Sequence, residues 1–185
     1  MATQQYAKLG QQTALTSFLL GTLIFVLYFL NASSEILLVG YGFVLAAVFF
    51  NIGILGIIVF KALKNKPQRP LLLYTGGLML LNIPVALFYF YLTSMLLNTM
   101  RITFCNTTPN LLTDIDIIGC ETRRIDTLRI GECKTKWIAI NGDCTINIAY
   151  SAAQQRKEEI VSGYVTSGMG QKITYDIGSP PKIQL

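Results

Sequence analysis

The sequence contains no histidine and few charged residues, and these two absences exclude most catalytic chemistry. Only 14% of its 185 residues are charged and 52% are hydrophobic, whereas soluble proteins average about 25% charged residues. The side chain that most often acts as a general acid or base is therefore missing, and no G-x-S-x-G motif provides a serine nucleophile. Neighbouring acids, such as Asp114 with Asp116 or Glu158 with Glu159, are typical of solvated strand faces or turns. We predict that the protein is not an enzyme and has no cofactor or metal.

Charge is absent altogether from three long apolar segments. They comprise residues 13–30, 36–60 and 71–98. An α-helix of about 20 apolar residues crosses the roughly 30 Å hydrocarbon core of a bilayer, so we predict three transmembrane helices within residues 13–99, preceded by a short polar N-terminus at residues 1–12. For the first segment a cleaved signal peptide is the alternative, because the small residues Ala32, Ser33 and Ser34 follow the apolar run.

Positive charge is concentrated in the turn between the second and third apolar segments. This basic turn, Lys61–Pro70, contains Lys61, Lys64, Lys66 and Arg69. Because basic loops stay on the cytoplasmic side, we place this turn and the N-terminus in the cytoplasm, and the chain after residue 98 in the periplasm or outside the cell. The predicted location is the inner (plasma) membrane, and the predicted partners are membrane lipids, including anionic lipids at this turn, and other integral membrane subunits. Residues 100–185 carry nearly balanced charge, which argues against nucleic acid as a partner.

After residue 99 the pattern changes to short alternating runs rich in β-branched residues, which predicts strands. The predicted strands are Arg101–Cys105, Leu111–Ile118, Lys134–Ile140, Cys144–Tyr150, Glu159–Thr166 and Lys172–Ile177, with Asn141–Asp143 as a turn. Six or seven strands within residues 100–178 are typical of a small antiparallel β-sandwich, and residues 179–185 form a tail. The turn Leu128–Glu132 resembles turns of bacterial immunoglobulin-like domains, which implies an immunoglobulin-like sandwich. The predicted fold class is α+β, with three transmembrane helices followed by an extracytoplasmic β-sandwich domain.

All four cysteines lie in the predicted extracytoplasmic domain. They are Cys105, Cys120, Cys133 and Cys144. The sequence has no C-x-x-C motif, and thiols in a small domain exposed to an oxidising compartment usually form disulfides. Three pairings are possible, and we favour Cys120 with Cys144 and, less strongly, Cys105 with Cys133. The alternatives are four buried free thiols, or a redox-active pair in a periplasmic thiol oxidoreductase.

Two asparagines are the most polar side chains within the apolar segments. Asn51 and Asn82 lie equally far from the basic turn along their helices, so we predict that they are at the same depth and form a helix–helix hydrogen bond. Pro84 is expected to kink the third helix and free the carbonyl of Leu80. These residues are the candidate site of a small transporter or lipid-binding protein. No acid lies within a span, which argues against a proton or cation pathway.

Small residues and a glycine-rich segment complete the sequence evidence. Gly42 with Ala46, extended by Gly53 and Gly56, forms a smooth stripe on the second span, which favours close helix packing. The segment Ser162–Gly170 is predicted to be a hairpin connection, with an exposed recognition loop as the alternative. We predict a non-catalytic accessory or scaffolding subunit of a larger inner-membrane complex, which docks through its helices and its periplasmic domain.

Overall fold

A computed structural model of the chain describes residues Ala2–Ser179, with side chains from Gln4 onward, so most of the predicted tail at 179–185 lies outside the described residues. The chain divides into two compact units between Thr93 and Ser94. The helices are α1 (Ala2–Asn31), α2 (Ser34–Lys64), a short 3-10 turn (Lys66–Gln68), α3 (Arg69–Leu80) and α4 (Asn82–Leu97). Seven strands follow: β1 (Thr99–Asn106), β2 (Leu112–Ile118), β3 (Arg123–Leu128), β4 (Cys133–Ala139), β5 (Cys144–Ala152), β6 (Gln155–Val165) and β7 (Lys172–Ile177). The α+β class is therefore confirmed, and three helical segments are long and apolar enough to span a membrane.

The first helix begins well before the apolar segment that predicts it. Helical structure starts at Ala2, so the predicted polar lead is helical as far as it is described. Glutamine, lysine and alanine are good helix formers. In addition, Ala7, Gly10 and Ala14 recur at helical spacing and are all buried. The N-terminal part of α1 therefore presents a face of small residues to the neighbouring helices.

The helices α1, α2 and α3 pack most closely towards the basic turn. Their shared core contains Ala7, Ala14, Ile58, Ala62, Leu72 and Met79. A Cβ atom on Gly10 would lie 2.4 Å from Cδ1 of Ile58 and 2.7 Å from Cγ2 of Thr75. Glycine is therefore required at position 10 because the backbone of α1 approaches these two side chains too closely for any larger residue.

The third predicted span is present as one long helical segment, Lys66–Leu97, which is interrupted at Leu81. α3 ends at Leu80 and α4 begins at Asn82, while the amide of Leu81 donates a hydrogen bond to the carbonyl of Gly77 at 3.1 Å. Pro84 has no N–H group to continue the helical ladder back to Leu80. The helical ladder is therefore interrupted beside the proline, while Leu81 keeps a helical backbone, with φ −63° and ψ −21°.

The strands form two sheets that share one hydrophobic core. One sheet has the order β4-β1-β7 and the other has the order β3-β2-β5-β6. Phe104 and Ile138 of the first sheet and Ile115 and Ile148 of the second are all fully buried in the same cluster. A β-rich C-terminal unit is therefore confirmed.

One feature of these sheets differs from the prediction. β1 and β7 pair in parallel, whereas a wholly antiparallel arrangement was expected. They are the first and last strands of the unit, so no short hairpin constrains their relative direction. The turn predicted at Asn141–Asp143 is present and links β4 to β5, which belong to different sheets.

The strand β3 was not among the ranges predicted from the alternating pattern. Its buried residues, Ile125 and Leu128, are three positions apart, and they lie opposite Ile115 and Leu112 of β2. Between those two residues Asp114 adopts a φ of 49° and the register of β2 shifts against β5. Because of this irregularity, the buried residues of β3 are three positions apart instead of two. β3 therefore lacks the alternating pattern that predicts a strand.

Candidate functional site

Both asparagines of the apolar helices bind α1 rather than each other. Nδ2 of Asn51 donates to Oγ of Ser17 at 3.0 Å, and Nδ2 of Asn82 donates to the carbonyl of Ala14 at 3.0 Å. Each amide is thus a helix–helix polar contact, but the predicted partner was wrong. The distance from the basic turn fixes the depth of a residue, whereas the direction of its side chain around the helix depends on which neighbour packs there.

An apolar cavity lies between α1, α2 and α4, beside these asparagines. It has a volume of about 460 Å³ and includes Ser17, Asn51 and Asn82 among its lining residues. Oδ1 of Asn51 is buried and accepts no hydrogen bond from any of the residues that the structure describes. The cavity therefore suits an apolar group, with one amide oxygen at its wall that can accept a hydrogen bond.

Long side chains, rather than close backbone contact, join α4 to α1 beside this cavity. The hydroxyl of Tyr89 lies 2.9 Å from Oγ1 of Thr22. The ring of Tyr89 stacks on that of Phe25, with 4.8 Å between centroids. The space between α4 and α1 is therefore spanned by the ring of Tyr89 and its contacts with Thr22 and Phe25.

The glycines of the helical unit fall into two groups. Cβ atoms at Gly21 and Gly40 would each lie 3.4 Å from a side chain of the facing helix, so these positions are used in packing between α1 and α2. At Gly42, Gly53 and Gly56, by contrast, an added Cβ would meet no described atom within 4 Å. These three glycines, with the exposed Ala46, form the small-residue stripe of α2, and the described part of the chain leaves that stripe uncovered.

The basic turn keeps most of its charge exposed. Lys64, Lys66 and Arg69 are exposed, and Lys61 is half-buried. The amino group of Lys61 lies 5.0 Å from the centre of the Tyr6 ring. The four cations are therefore gathered at one end of the helices, where α1 contributes an aromatic ring.

The cysteines lie at disulfide distance in the two pairs favoured from the sequence. Cys105 and Cys133 face each other across β1 and β4, with 4.1 Å between their Cα atoms. Cys120, just after β2, is paired with Cys144 at the start of β5, with 5.2 Å between Cα atoms. Each bridge joins neighbouring strands of one sheet, whereas the conserved bridge of antibody domains joins the two sheets.

A carboxylate that the sequence suggested to be solvated instead links the two sheets. Glu159 of β6 accepts hydrogen bonds from the hydroxyls of Tyr150 in β5 and Tyr175 in β7, the latter at 2.8 Å. The amide of Gly178 also donates to it, at 3.2 Å. Burial, and then the hydrogen bond to Glu159, raise the pKa of both tyrosines well above its usual value. Inward-facing tyrosines near strand ends were the available signal, because a buried hydroxyl needs a partner.

The glycine-rich segment is neither a hairpin nor a free loop. Ser162–Val165 completes β6, and the residues that follow cross to β7 in the other sheet. The amide of Gly170 donates to the carbonyl of Leu97 at 2.8 Å, and the amide of Gly168 donates to Oδ1 of Asn98 at 3.3 Å. This loop therefore satisfies polar groups at the C-terminal end of α4.

Comparisons with known proteins add no further guidance. No known protein family matches the sequence, and no curated protein or solved structure shows significant similarity to it. Among residues 2–179, no three acidic or cysteine side chains are grouped as metal ligands. A functional proposal must therefore rest on the residues and their geometry.

Proposed function

We propose that this protein is a non-catalytic accessory subunit of a larger inner-membrane complex. Its three helices cross the membrane with the basic turn in the cytoplasm, and its two sheets pack as a β-sandwich on the periplasmic or extracellular side. The sandwich contributes a second docking surface for a partner. Its disulfides, one within each sheet, distinguish it from antibody-type immunoglobulin domains.

The uncovered small-residue stripe of α2 is the observation that carries this proposal. Within the chain, glycines are placed where helices approach closely, as at Gly10, Gly21 and Gly40. Gly42, Gly53 and Gly56 have the same character but no neighbour among the described residues. In a bilayer, small residues promote helix association because backbones can approach and pack there. A helix of another subunit is therefore the partner that this stripe fits.

The face of α2 opposite the stripe is occupied by α1, whereas the stripe is exposed. Asn51 is half a helical turn away from the stripe, and its amide is bonded to α1. Polar contact therefore holds α2 to its own chain on one side, while the small residues of the stripe are exposed on the other, next to the exposed ring of Phe49. No acidic residue lies within the spans, which is consistent with packing rather than ion transfer.

The stripe can be tested by enlarging it while the protein is in its native membrane. We expect Gly53→Leu and Gly56→Leu to leave the chain folded and inserted, since no described atom lies within 4 Å of an added Cβ. The same variants should lose the proteins that co-purify with the wild type in mild detergent. Co-purification that survives both substitutions would exclude the stripe as the docking surface.

Two controls separate docking from folding. Val48→Phe enlarges an exposed residue about 120° around α2 from the stripe and should retain the partner. Gly10→Val should instead reduce the amount of folded protein, because its side chain would collide with Ile58 and Thr75. A wild-type protein that migrates as a lone monomer with no companion would contradict the accessory role itself.

The cavity supports a second candidate, a lipid-binding role. Its apolar wall suits an acyl chain, and the unpaired Oδ1 of Asn51 suits a hydroxyl or amide donor of a lipid. We expect Asn51→Leu with Asn82→Leu to reduce the lipid retained after delipidation, as measured by mass spectrometry of the purified protein. Unchanged lipid retention together with unchanged assembly would exclude this role.

A further inference from the structure

The loop that caps the end of α4 carries two exposed side chains of the kind found at membrane surfaces. Tyr164 has 58% of its surface exposed and Met169 has 39%. Met169 lies between Gly168 and Gly170, whose amides bond to Asn98 and Leu97. The backbone of Met169 is therefore held beside Leu97 and Asn98, where the chain leaves α4.

A close backbone contact makes this placement specific. A Cβ atom on Gly170 would lie 2.2 Å from the carbonyl oxygen of Leu96 and 2.7 Å from that of Leu97. Only glycine allows this loop to reach the last turn of α4. The hydrogen bond from the amide of Gly170 also satisfies the carbonyl of Leu97, one of the groups that a helix leaves unpaired at its C-terminal end.

Tyr164 lies at the same end of the β-rich unit. It precedes Val165, which pairs with Cys144 at the start of β5. The short connection before Cys144 begins at Ile140, whose amide donates to the carbonyl of Asn98 at 2.9 Å. The strand end that carries Tyr164 therefore lies beside the connection that is bonded to Asn98.

The lengths of the helices place this exit point near a lipid surface. α3 and α4 contain 12 and 16 residues and together extend about 40 Å at 1.5 Å per residue. A bilayer with its headgroups is about 40–45 Å thick. If the basic turn lies among the cytoplasmic headgroups, Leu97 reaches the headgroup layer of the opposite leaflet.

We infer that Tyr164 and Met169 contact the lipid headgroup layer of the outer leaflet beside the end of α4. Tyrosine suits this layer because its ring is apolar and its hydroxyl remains hydrated. Methionine supplies a flexible apolar side chain that adapts to an irregular surface. This inference rests on the proposed insertion of the helices in a membrane.

Fluorescence quenching in lipid nanodiscs tests the contact directly. Trp137 is the only tryptophan and is first replaced by Trp137→Phe, after which Tyr164→Trp and Met169→Trp are made separately. The matched control is Ile130→Trp, which replaces another exposed apolar residue, 65% exposed. Ile130 is next to Gly131, whose amide bonds to the carbonyl of Asn106 at the far end of β1.

The nanodiscs contain a phosphatidylcholine that is brominated close to the headgroup end of its acyl chains. We expect the tryptophans at 164 and 169 to emit at shorter wavelength than the one at 130 and to lose more of their emission to the brominated lipid. Equal quenching at all three positions would overturn the inference. Because both substituted side chains are exposed, neither variant removes a core contact.

A fourth variant distinguishes failure of this inference from failure of membrane insertion. Phe88→Trp replaces an exposed residue of α4 and should be quenched by a lipid brominated deeper in its acyl chains. Quenching at 88 without quenching at 164 and 169 would reject the headgroup contact alone. No quenching at 88 would reject the membrane insertion, and with it both the accessory role in a membrane complex and the headgroup contact.

Discussion

The two units of this chain obtain their cohesion in different ways. The β-rich unit surrounds a continuous core that includes Phe104 and Ile115, and it adds two disulfides and the Glu159 cluster. The helical unit buries a small group of residues near Gly10. Of the residues in the most apolar 18-residue stretch of α2, only 6% are buried within the chain. The β-rich unit can thus exclude water from its own core, whereas the helical unit relies on its surroundings to cover its apolar surface.

The proposed membrane insertion of the helices accounts for this contrast. In water, burial of apolar surface stabilises a fold by about 25 cal/mol per Å². Between helices in lipid that driving force is absent, because acyl chains are as apolar as leucine. What remains is close packing and hydrogen bonding, which the structure provides at Gly10, Asn51 and Asn82. The helical unit therefore needs few buried side chains but specific small and polar ones.

The largest expected effect comes from a matched pair of leucines. Leu112 in β2 and Leu72 in α3 are both fully buried. We expect Leu112→Ala to lower the free energy of unfolding by about 2–5 kcal/mol, through lost transfer energy and a cavity. Leu72→Ala should cost clearly less, since in lipid only packing is lost.

Denaturant unfolding of the full chain in detergent micelles measures this difference. Fluorescence of Trp137 reports the β-rich unit, which holds the only tryptophan, and far-ultraviolet circular dichroism reports the helices. Equal losses of unfolding free energy in the two variants would show that the helical unit is stabilised like a soluble core. The proposed difference between the two units would then be wrong.

The disulfides come next in expected size. We predict that Cys120→Ala combined with Cys144→Ala lowers the stability of the β-rich unit by about 2–4 kcal/mol, because the bridge restricts the unfolded chain. The helices should be unaffected. Peptide mapping without reduction should recover Cys105 joined to Cys133 and Cys120 joined to Cys144, and any exchanged pairing would contradict this part of the structure.

Replacing the carboxylate between the sheets should have a smaller effect. Glu159→Gln leaves one carbonyl oxygen for three donors, those of Tyr150, Tyr175 and Gly178. An unsatisfied buried group costs about 1–3 kcal/mol. Its exposed neighbour offers the control, since Glu158→Gln should change stability by less than about 0.5 kcal/mol. Similar results for the two variants would mean that the cluster does not hold the sheets together.

The same cluster predicts an alkaline limit to stability. The pKa of Tyr150 and Tyr175 is raised in the folded protein, first by burial and then by Glu159. In the unfolded chain these tyrosines ionise near pH 10. Their contribution is therefore complete below about pH 10 and is lost as the pH rises above it. Unfolding measured between about pH 9 and pH 12 should show this decline, and Tyr175→Phe should make it shallower.

Sequence reasoning succeeded where a single local pattern decides the structure. Ile173, Tyr175 and Ile177 alternate cleanly, and the predicted strand matches β7 at both ends. The break before Pro84 was likewise predictable, because proline lacks the donor that a helix needs. The long uncharged runs were sufficient to identify three apolar helices.

It failed where the outcome depends on a partner remote in sequence. β3 was missed because its buried residues follow the irregular step at Asp114 on the neighbouring strand. The depth of Asn51 gave no information on its direction, which depends on Ser17 of α1. Glu159 was taken for a surface residue because the two tyrosines that donate to its carboxylate come from other strands. Each of these required knowledge of what packs against the residue.

The smallest expected effect belongs to the charged outer face of the second sheet. Arg124 and Asp114 form an ion pair, but 58% and 56% of their side chains are exposed. Water screens such a pair, and exposed pairs contribute about 0.2–1 kcal/mol. We expect Arg124→Ala to lower the stability of the β-rich unit by no more than that, and the loss should shrink as salt is added. A larger loss, unaffected by salt, would show that Arg124 supports the irregular backbone at Asp114, which has a φ of 49°, and not merely a surface charge.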